Sequence, residues 1–237
     1  MTDWAPKRFW TSADVVEEEG GFGVALDGRR VRTPAKAGLI VPTRALAQAV
    51  AAEWDAQAEK VDPMSMPMTQ AANSAIDKLG LQRIEVADML ADYGDADLLC
   101  YRADSPDALV DRQAMIWTPY LDWAAEVLGA RLHERTGLMH VPQDAGALTQ
   151  LRRQVHQLSD FELAAFHDLV ALSGSLILAF AAIHDMQPPE DLWQVSRLDE
   201  TWQEEQWGAD DEAQQTAERK RTAFLRAYRF YRLTRSA

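Results

Sequence analysis

Two His-Asp dipeptides, His167-Asp168 and His184-Asp185, stand in the chain with His133 and the distant acid Asp199. These are the side chains that an all-helical, metal-dependent phosphohydrolase of the HD type would need. Such chemistry requires imidazoles and carboxylates converging on one cation that polarises a phosphoryl oxygen and activates water. The five histidines are scattered and Asp168 lies in an apolar helical stretch, so local polar contacts are the simpler expectation. Ser173-Gly174-Ser175 lacks the Gly-x-Ser-x-Gly form of a nucleophile turn and a partner base. Small side chains there read as a helix junction that allows close approach. Gly20-Gly21-Phe22-Gly23 lacks the Lys-Ser/Thr pair and the following helix of a phosphate loop, so an ATPase is not expected. These patterns assign no catalytic residue, metal or cofactor.

The stretch Ser196 to Gly208, S-R-L-D-E-T-W-Q-E-E-Q-W-G, carries a different kind of chemistry. At 100° per residue it reads as one helix with two faces. Val195, Leu198, Trp202 and Gln206 share a face with a core to meet. Trp193, Ser196, Glu200, Gln203 and Trp207 share the other. Two tryptophans mixed with a carboxylate and an amide suit protein recognition or a hydrogen-bonded inner seam better than plain solvent exposure. Trp193, Glu200, Gln203 and Trp207 are therefore the leading partner-contact residues. Two readings stay open for Glu200: a hydrogen-bonded structural acid, or an acceptor for a partner's backbone or arginine. Asp199, Glu204, Glu205, Asp210, Asp211 and Glu212 read as a solvated face and helix-start chemistry.

Composition narrows the partner. A chain of 237 residues, 47% hydrophobic, can bury a substantial core. A net charge of −13 argues against a duplex-binding surface, which needs clustered lysine and arginine facing phosphates. A single cysteine, Cys100, excludes an intramolecular disulfide and points to a reducing compartment. The most apolar stretch, Leu169 to Ile183, is interrupted at Ser173-Gly174-Ser175 and is short for a membrane span, so a buried helix pair is expected. The N-terminal segment M-T-D-W-A-P-K-R-F-W has neither a secretory apolar region nor an arginine-rich, acid-poor transit helix, which suggests a bacterial cytoplasmic protein or a processed one.

The elements that must position these residues divide into two sets. From Phe9 to Val41 the punctuation is that of a β meander, with Asp27-Gly28 as a two-residue hairpin turn. Thr43 then caps a helix whose face carries Leu46, Val50 and Trp54 and covers the sheet. Trp54 is read first as fixing that helix, and Arg29 as pairing with a carboxylate of the same domain. Val61 to Thr69, with two prolines and Met64, Met66 and Met68, is the candidate linker. The methionines read as core filling or a linker folding back, ahead of a pliable binding strip.

Beyond the linker the pattern is helical. Thr69 caps a run to Leu79, Ser105-Pro106 opens a helix toward Leu128 with Gly129 after it, and Ser159-Asp160-Phe161-Glu162 is a capping box. The expectation is an α+β fold: a β-rich domain with a covering helix over residues 1–68, then an all-α domain over 69–237.

Three landmarks in order resemble one family. S-R-L-x-E-x-x-Q-x-x-x-W-G, L-D-G-R-x-V-x-T-P at Leu26 to Pro34, and A-x-E-W-D-x-Q at Ala51 to Gln57 are similar to the F-type ATP synthase assembly chaperones that handle the α subunit. The resemblance covers nearly the whole chain. It implies a non-enzymatic, ATP-independent chaperone that binds the unassembled α subunit of the catalytic sector. It also implies Arg29 and Trp54 as supporting partner-binding residues, no nucleic acid or membrane insertion, and a monomer when free. Similar eukaryotic proteins work in the mitochondrial matrix. The family's closing W-G-x-x-x-x-x-H-D is not matched, since Ala209-Asp210-Asp211-Glu212 follows Trp207-Gly208 without a histidine. The alternatives are the hydrolase above, or a scaffold binding another folded protein through the same helix.

Overall fold

The computed structural model describes residues 7–137 and 140–236. Most of the N-terminal segment read above for a targeting signal therefore lies outside the described residues. The fold is α+β, with a small sheet followed by helices.

The sheet forms where the turn chemistry directs it. β1 (Ala13–Glu18) pairs antiparallel with β2 (Gly21–Leu26), Val15 opposite Val24. Asp27 and Gly28 adopt φ of 46° and 82°, the mirror-image turn that matches strand twist, and lead into β3 (Arg29–Arg30). β4 (Ile40–Val41) returns to pair with β2 at Phe22 and Gly23, so the arrangement is not a simple meander. Gly21 is required at that junction: a Cβ there would stand 2.3 Å from the Val41 carbonyl oxygen. The turn carboxylate of Asp27 accepts backbone N–H groups of Ser12 and Thr11, which hold its carboxyl below the usual aspartate range.

Helix α1 (Arg44–Asp55) is capped as expected, the Thr43 hydroxyl accepting from Leu46 N at 3.1 Å, and it buries Leu46, Ala47, Val50 and Ala51. The Val61 to Thr69 stretch is not a bare linker. Pro63–Ser65 forms a 3-10 turn, and α2 (Pro67–Ser74) begins two residues before Thr69. Thr69 is thus inside the helix instead of capping it. The Glu53 carboxylate supplies the cap from α1, accepting Met68 N at 2.7 Å, Thr69 N at 2.8 Å and the Thr69 hydroxyl at 2.8 Å. Met66 and Met68 are buried while Met64 is exposed, so the three do not make one strip. A π-helical turn, Ala75–Leu79, leads into α3 (Gly80–Asp92).

The chain separates into two compact units. The first holds the residues up to Arg83 with Ser159–Ala165 and the chain from Arg229 onward. The second holds Ile84–Leu158 and Phe166–Tyr228. Glu53 and the Asp77–Ala35 N hydrogen bond at 3.1 Å tie α2 and the π turn to the sheet unit. A linear division after residue 68 is kept as a proposal about which stretch folds locally.

In the second unit β5 (Tyr101–Arg102) precedes α4 (Asp107–Val127), and Gly129 follows it at φ 67°. β6 (Arg135–Thr136) pairs with β5 in parallel, and α5 (Ala145–Gln157) comes next. The expected helix pair is α6 (Asp160–Ser173), whose residues up to Ala165 belong to the first unit, and α7 (Leu176–Ile183), broken at Gly174 with φ 71°. Ser159 and Glu162 make the reciprocal hydrogen bonds of a capping box at the start of α6. Leu176 to Ala182 are all buried.

Beneath α7 sits Asp97, wholly buried, accepting Leu99 N at 3.0 Å, the Ser175 hydroxyl at 2.8 Å and Ile177 N at 3.0 Å. Loss of water outweighs these bonds and pushes its carboxyl up to about 6. Among the described residues no helix is long and apolar enough to cross a membrane. The unit closes with α8 (Pro189–Ser196), α9 (Leu198–Trp207) and α10 (Asp211–Thr234), of which residues to 228 belong here.

Candidate functional site

The stretch read as one two-faced helix is two helices. Arg197, at φ −102° and ψ 13°, leaves the helical path between α8 and α9, which resets the angular relation of the residues on either side. Trp193 therefore does not share a surface with Trp207. It is 3% exposed and packs on Phe224, ring centroids 5.8 Å apart. Ser196 is buried too, its hydroxyl donating to the Trp193 carbonyl at 2.7 Å. Arg221 anchors the start of α8 by a two-pronged pair with Glu190 at 2.6 and 2.7 Å, which holds the Glu190 carboxyl below its usual range.

Beyond the break, α9 meets α4 with its expected inner face. Leu198 is buried, and the Arg112 guanidinium lies over the Trp202 ring at 5.3 Å while pairing with Glu205 at 2.7 Å. The Asp199 carboxylate accepts from Gln113 Nε2 at 2.7 Å, and the Trp117 indole donates to the Val195 carbonyl at 2.9 Å. Gln206, expected on this face, is exposed in the last turn of the helix.

The outer face is open. Trp207 is 79% exposed, and Gln203 is exposed one turn before it. Glu200 is half-exposed and accepts from Arg197 Nη1 at 2.6 Å, three residues away. Gly208, at φ 90°, ends α9 and turns the chain into α10, whose residues 211–216 are exposed throughout. A groove of about 440 Å³ separates the two helices, with Ala213, Thr216 and Ala217 as its floor and Arg197 and Glu200 on its wall. Leu198 is the one buried residue of α9. An arm of this kind gains little from its own burial and offers surface to a partner.

Arg29 and Trp54 lie in the other compact unit. Arg29 is exposed, its guanidinium 6.0 Å from the Phe9 ring, so among the described residues it meets an aromatic face and not the expected carboxylate. Trp54 is half-buried and meets Trp10 edge-on at 5.3 Å, with Trp10 Nε1 donating to its carbonyl at 3.2 Å. This is the helix-fixing role read from its position.

The His and Asp side chains of the hydrolase reading are spent separately. His167 contacts its neighbour Asp168 at 3.0 Å, His184 meets Trp123 edge-on at 5.7 Å, and Asp185 accepts from the Tyr228 hydroxyl at 2.6 Å. Asp199 is engaged by Gln113, and His133 is on the surface. Among the described residues no three His, Cys, Asp or Glu side chains gather as a metal site. Ser173 and Ser175 cap and bridge the α6–α7 junction. Sequence reasoning missed the groove floor and Lys220 on its rim. The clue was available, since no lysine or arginine occurs between Leu198 and Glu218 and three follow at once, Arg219-Lys220-Arg221.

Comparison with known proteins bears on this arrangement. The model of the ATP12 chaperone protein family matches residues 7–125. The crystal structure of Atp12 from Paracoccus denitrificans is 49% identical in sequence, with a TM-score of 0.94 over 97% of this chain and 98% of that one. A mutant of the same Paracoccus protein is 48% identical with the same TM-score and coverage. The mitochondrial protein atp12 of Schizosaccharomyces pombe is 25% identical over 219 residues, 87% of this chain and 75% of that protein.

Proposed function

Since this chain belongs to the ATP12 chaperone family, which serves ATP synthase assembly and not catalysis, we propose that it binds the unassembled α subunit of the F-type ATP synthase catalytic sector. An α subunit without its β neighbours exposes apolar interface, and a patch of that size promotes aggregation. The chaperone covers that interface and yields it to the true neighbour. It does so by binding alone, without ATP: its glycine-rich Gly20-Gly21 segment is a strand-to-strand turn, a poor place for a nucleotide phosphate. The reading places the protein in the bacterial cytoplasm as a monomer when free.

The observation that carries the proposal is the exposed Trp207 on the α9–α10 arm. A large aromatic left in water at a helix end, beside the exposed Gln203 and half-exposed Glu200, is the anchor an interface hot spot needs. Trp207, Gln203 and Glu200 are the contacts, and Trp193 supports α8 from inside. Arg29 and Trp54 contribute from the sheet unit. Light scattering of purified α subunit diluted from denaturant tests this. An equimolar amount of the protein should suppress the scattering without nucleotide, and a stable α-subunit complex should elute on size exclusion. Undiminished aggregation with no complex would refute the proposal and favour a scaffold for a different folded protein.

A further inference from the structure

The charge on the α9–α10 arm is segregated. Seven carboxylates and no cation lie between Leu198 and Glu218, against a net charge of −13 for the whole chain. Most of those carboxylates on α9 are answered within the unit. Arg197 takes Glu200 at 2.6 Å and reaches Glu204 at 4.0 Å, Arg112 takes Glu205 at 2.7 Å, and Gln113 takes Asp199 at 2.7 Å. The three at the turn are not. Asp210 caps Ala213 N at 2.7 Å, and Asp210, Asp211 and Glu212 have no cationic partner among the described residues.

The groove between the helices is lined by the acidic turn and by two cations, Arg197, which Glu200 already pairs, and Lys220. Asp210 and Glu212 stand at one end and Lys220 lines the other, over the small side chains of Ala213, Thr216 and Ala217. Lys220 is exposed and, among the described residues, has no acidic partner either. Eight residues of helix separate Glu212 from Lys220, a span of roughly 12 Å. Two unanswered carboxylates and one unanswered ammonium therefore face a groove shallow enough in side-chain volume to admit another chain.

We infer that this groove docks a two-signed segment of the client, with an arginine or lysine against Asp210 and Glu212 and a carboxylate against Lys220. The inference rests on the α-subunit reading and specifies the chemistry of the segment that is held. Charge complementarity selects this occupant. A wholly basic segment would set one of its cations on Lys220, and a wholly apolar one would strip water from three charges without replacing it. The alanine floor receives the aliphatic stem of the entering side chain, and Trp207, three residues before Asp210, adds apolar area beside the acidic end.

The test is titration of purified α subunit with the wild-type chain, Glu212→Lys and Lys220→Glu, each checked for an unchanged thermal melt. Each reversal should weaken the complex about tenfold at low salt, with the difference shrinking in about 0.5 M salt. A Lys220→Glu chain that binds as well as or better than wild type overturns the two-signed groove, as do two reversals within twofold of wild type. Should a reversal disturb folding, a photo-cross-linking residue at Ala217 replaces it. The cross-link should land on a client segment bearing opposite charges roughly 12 Å apart, and a cross-link on an uncharged segment, or none while the complex forms, overturns the inference. Failure of the wild-type chain to bind is a different result, and it refutes the α-subunit reading itself.

Discussion

Trp207 and Trp193 lie fourteen positions apart in the chain and should fail in opposite ways when truncated. A tryptophan side chain offers roughly 200 Å² of surface. With 79% of Trp207 exposed, about 160 Å² is left for a partner to cover, worth at most ~4 kcal/mol at about 25 cal/mol per Å². Ordering of the arm and loss of motional freedom reduce that figure, so Trp207→Ala should cost about 2 kcal/mol of binding, roughly a 30-fold rise in Kd for the α subunit. Its cost in folding should stay below about 1 kcal/mol, since little of the ring is buried in the free chain. Trp193 is 3% exposed against Phe224, so Trp193→Ala should lower the unfolding free energy by about 3–5 kcal/mol. Denaturant melts followed by calorimetric titration separate the two. A Trp207→Ala chain that binds within twofold of wild type would remove the arm from the contact. One that loses several kcal/mol of stability would show that the ring is part of the core.

Three further outcomes follow from the fold. Glu53→Ala leaves Met68 N, Thr69 N and the Thr69 hydroxyl without their acceptor and should cost about 2–3 kcal/mol in a denaturant melt; a loss below about 0.5 would show that α2 is held by its packing. Ser159→Ala removes one half of the α6 capping box and should cost about 1 kcal/mol, read the same way. The Asp97 carboxyl is pushed up to about 6 from an unfolded value near 3.8, so the folded state favours its protonated form. Its contribution is complete below about pH 4 and falls by roughly 3 kcal/mol as pH rises through 6, and the stability difference between wild type and Asp97→Asn should follow that curve; a difference flat across that window would refute it.

What could be read in the sequence was whatever depends on neighbours in the chain. The Asp27-Gly28 turn, the Thr43 cap, the Ser159–Glu162 box and the Gly174 break are each settled by residues within four positions of one another, and each formed. Thr69 was misread as a cap because its partner, Glu53, lies 16 positions back on another helix. The two-faced helix failed for a related reason. A helical wheel assumes continuity, and the irregular Arg197 carries no glycine or proline to announce it. Trp193 was thereby placed on the surface with Trp207 when it belongs to the core.

That break is also what makes the arm. Had α8 and α9 been continuous, the buried stripe of Leu192 and Trp193 would have fixed the direction of everything after it, and Glu200 and Trp207 would have followed. With the path reset at Arg197, α9 is held by buried Leu198 and by the Trp202, Asp199 and Glu205 contacts with α4, and its outer face is left open. A helix so lightly buried should be selected for what it presents. Its acids toward α4 are answered by Arg112, Gln113 and Arg197, whereas those at the Gly208 turn are not. Asp210 to Glu212 begin α10, where the helix dipole favours carboxylates, and the nearest cations that follow in the chain are Arg219 and Lys220. The helix start accounts for acids at this position, Asp210 capping Ala213 N, and their lack of a cation among the described residues leaves them able to take one from a partner as well.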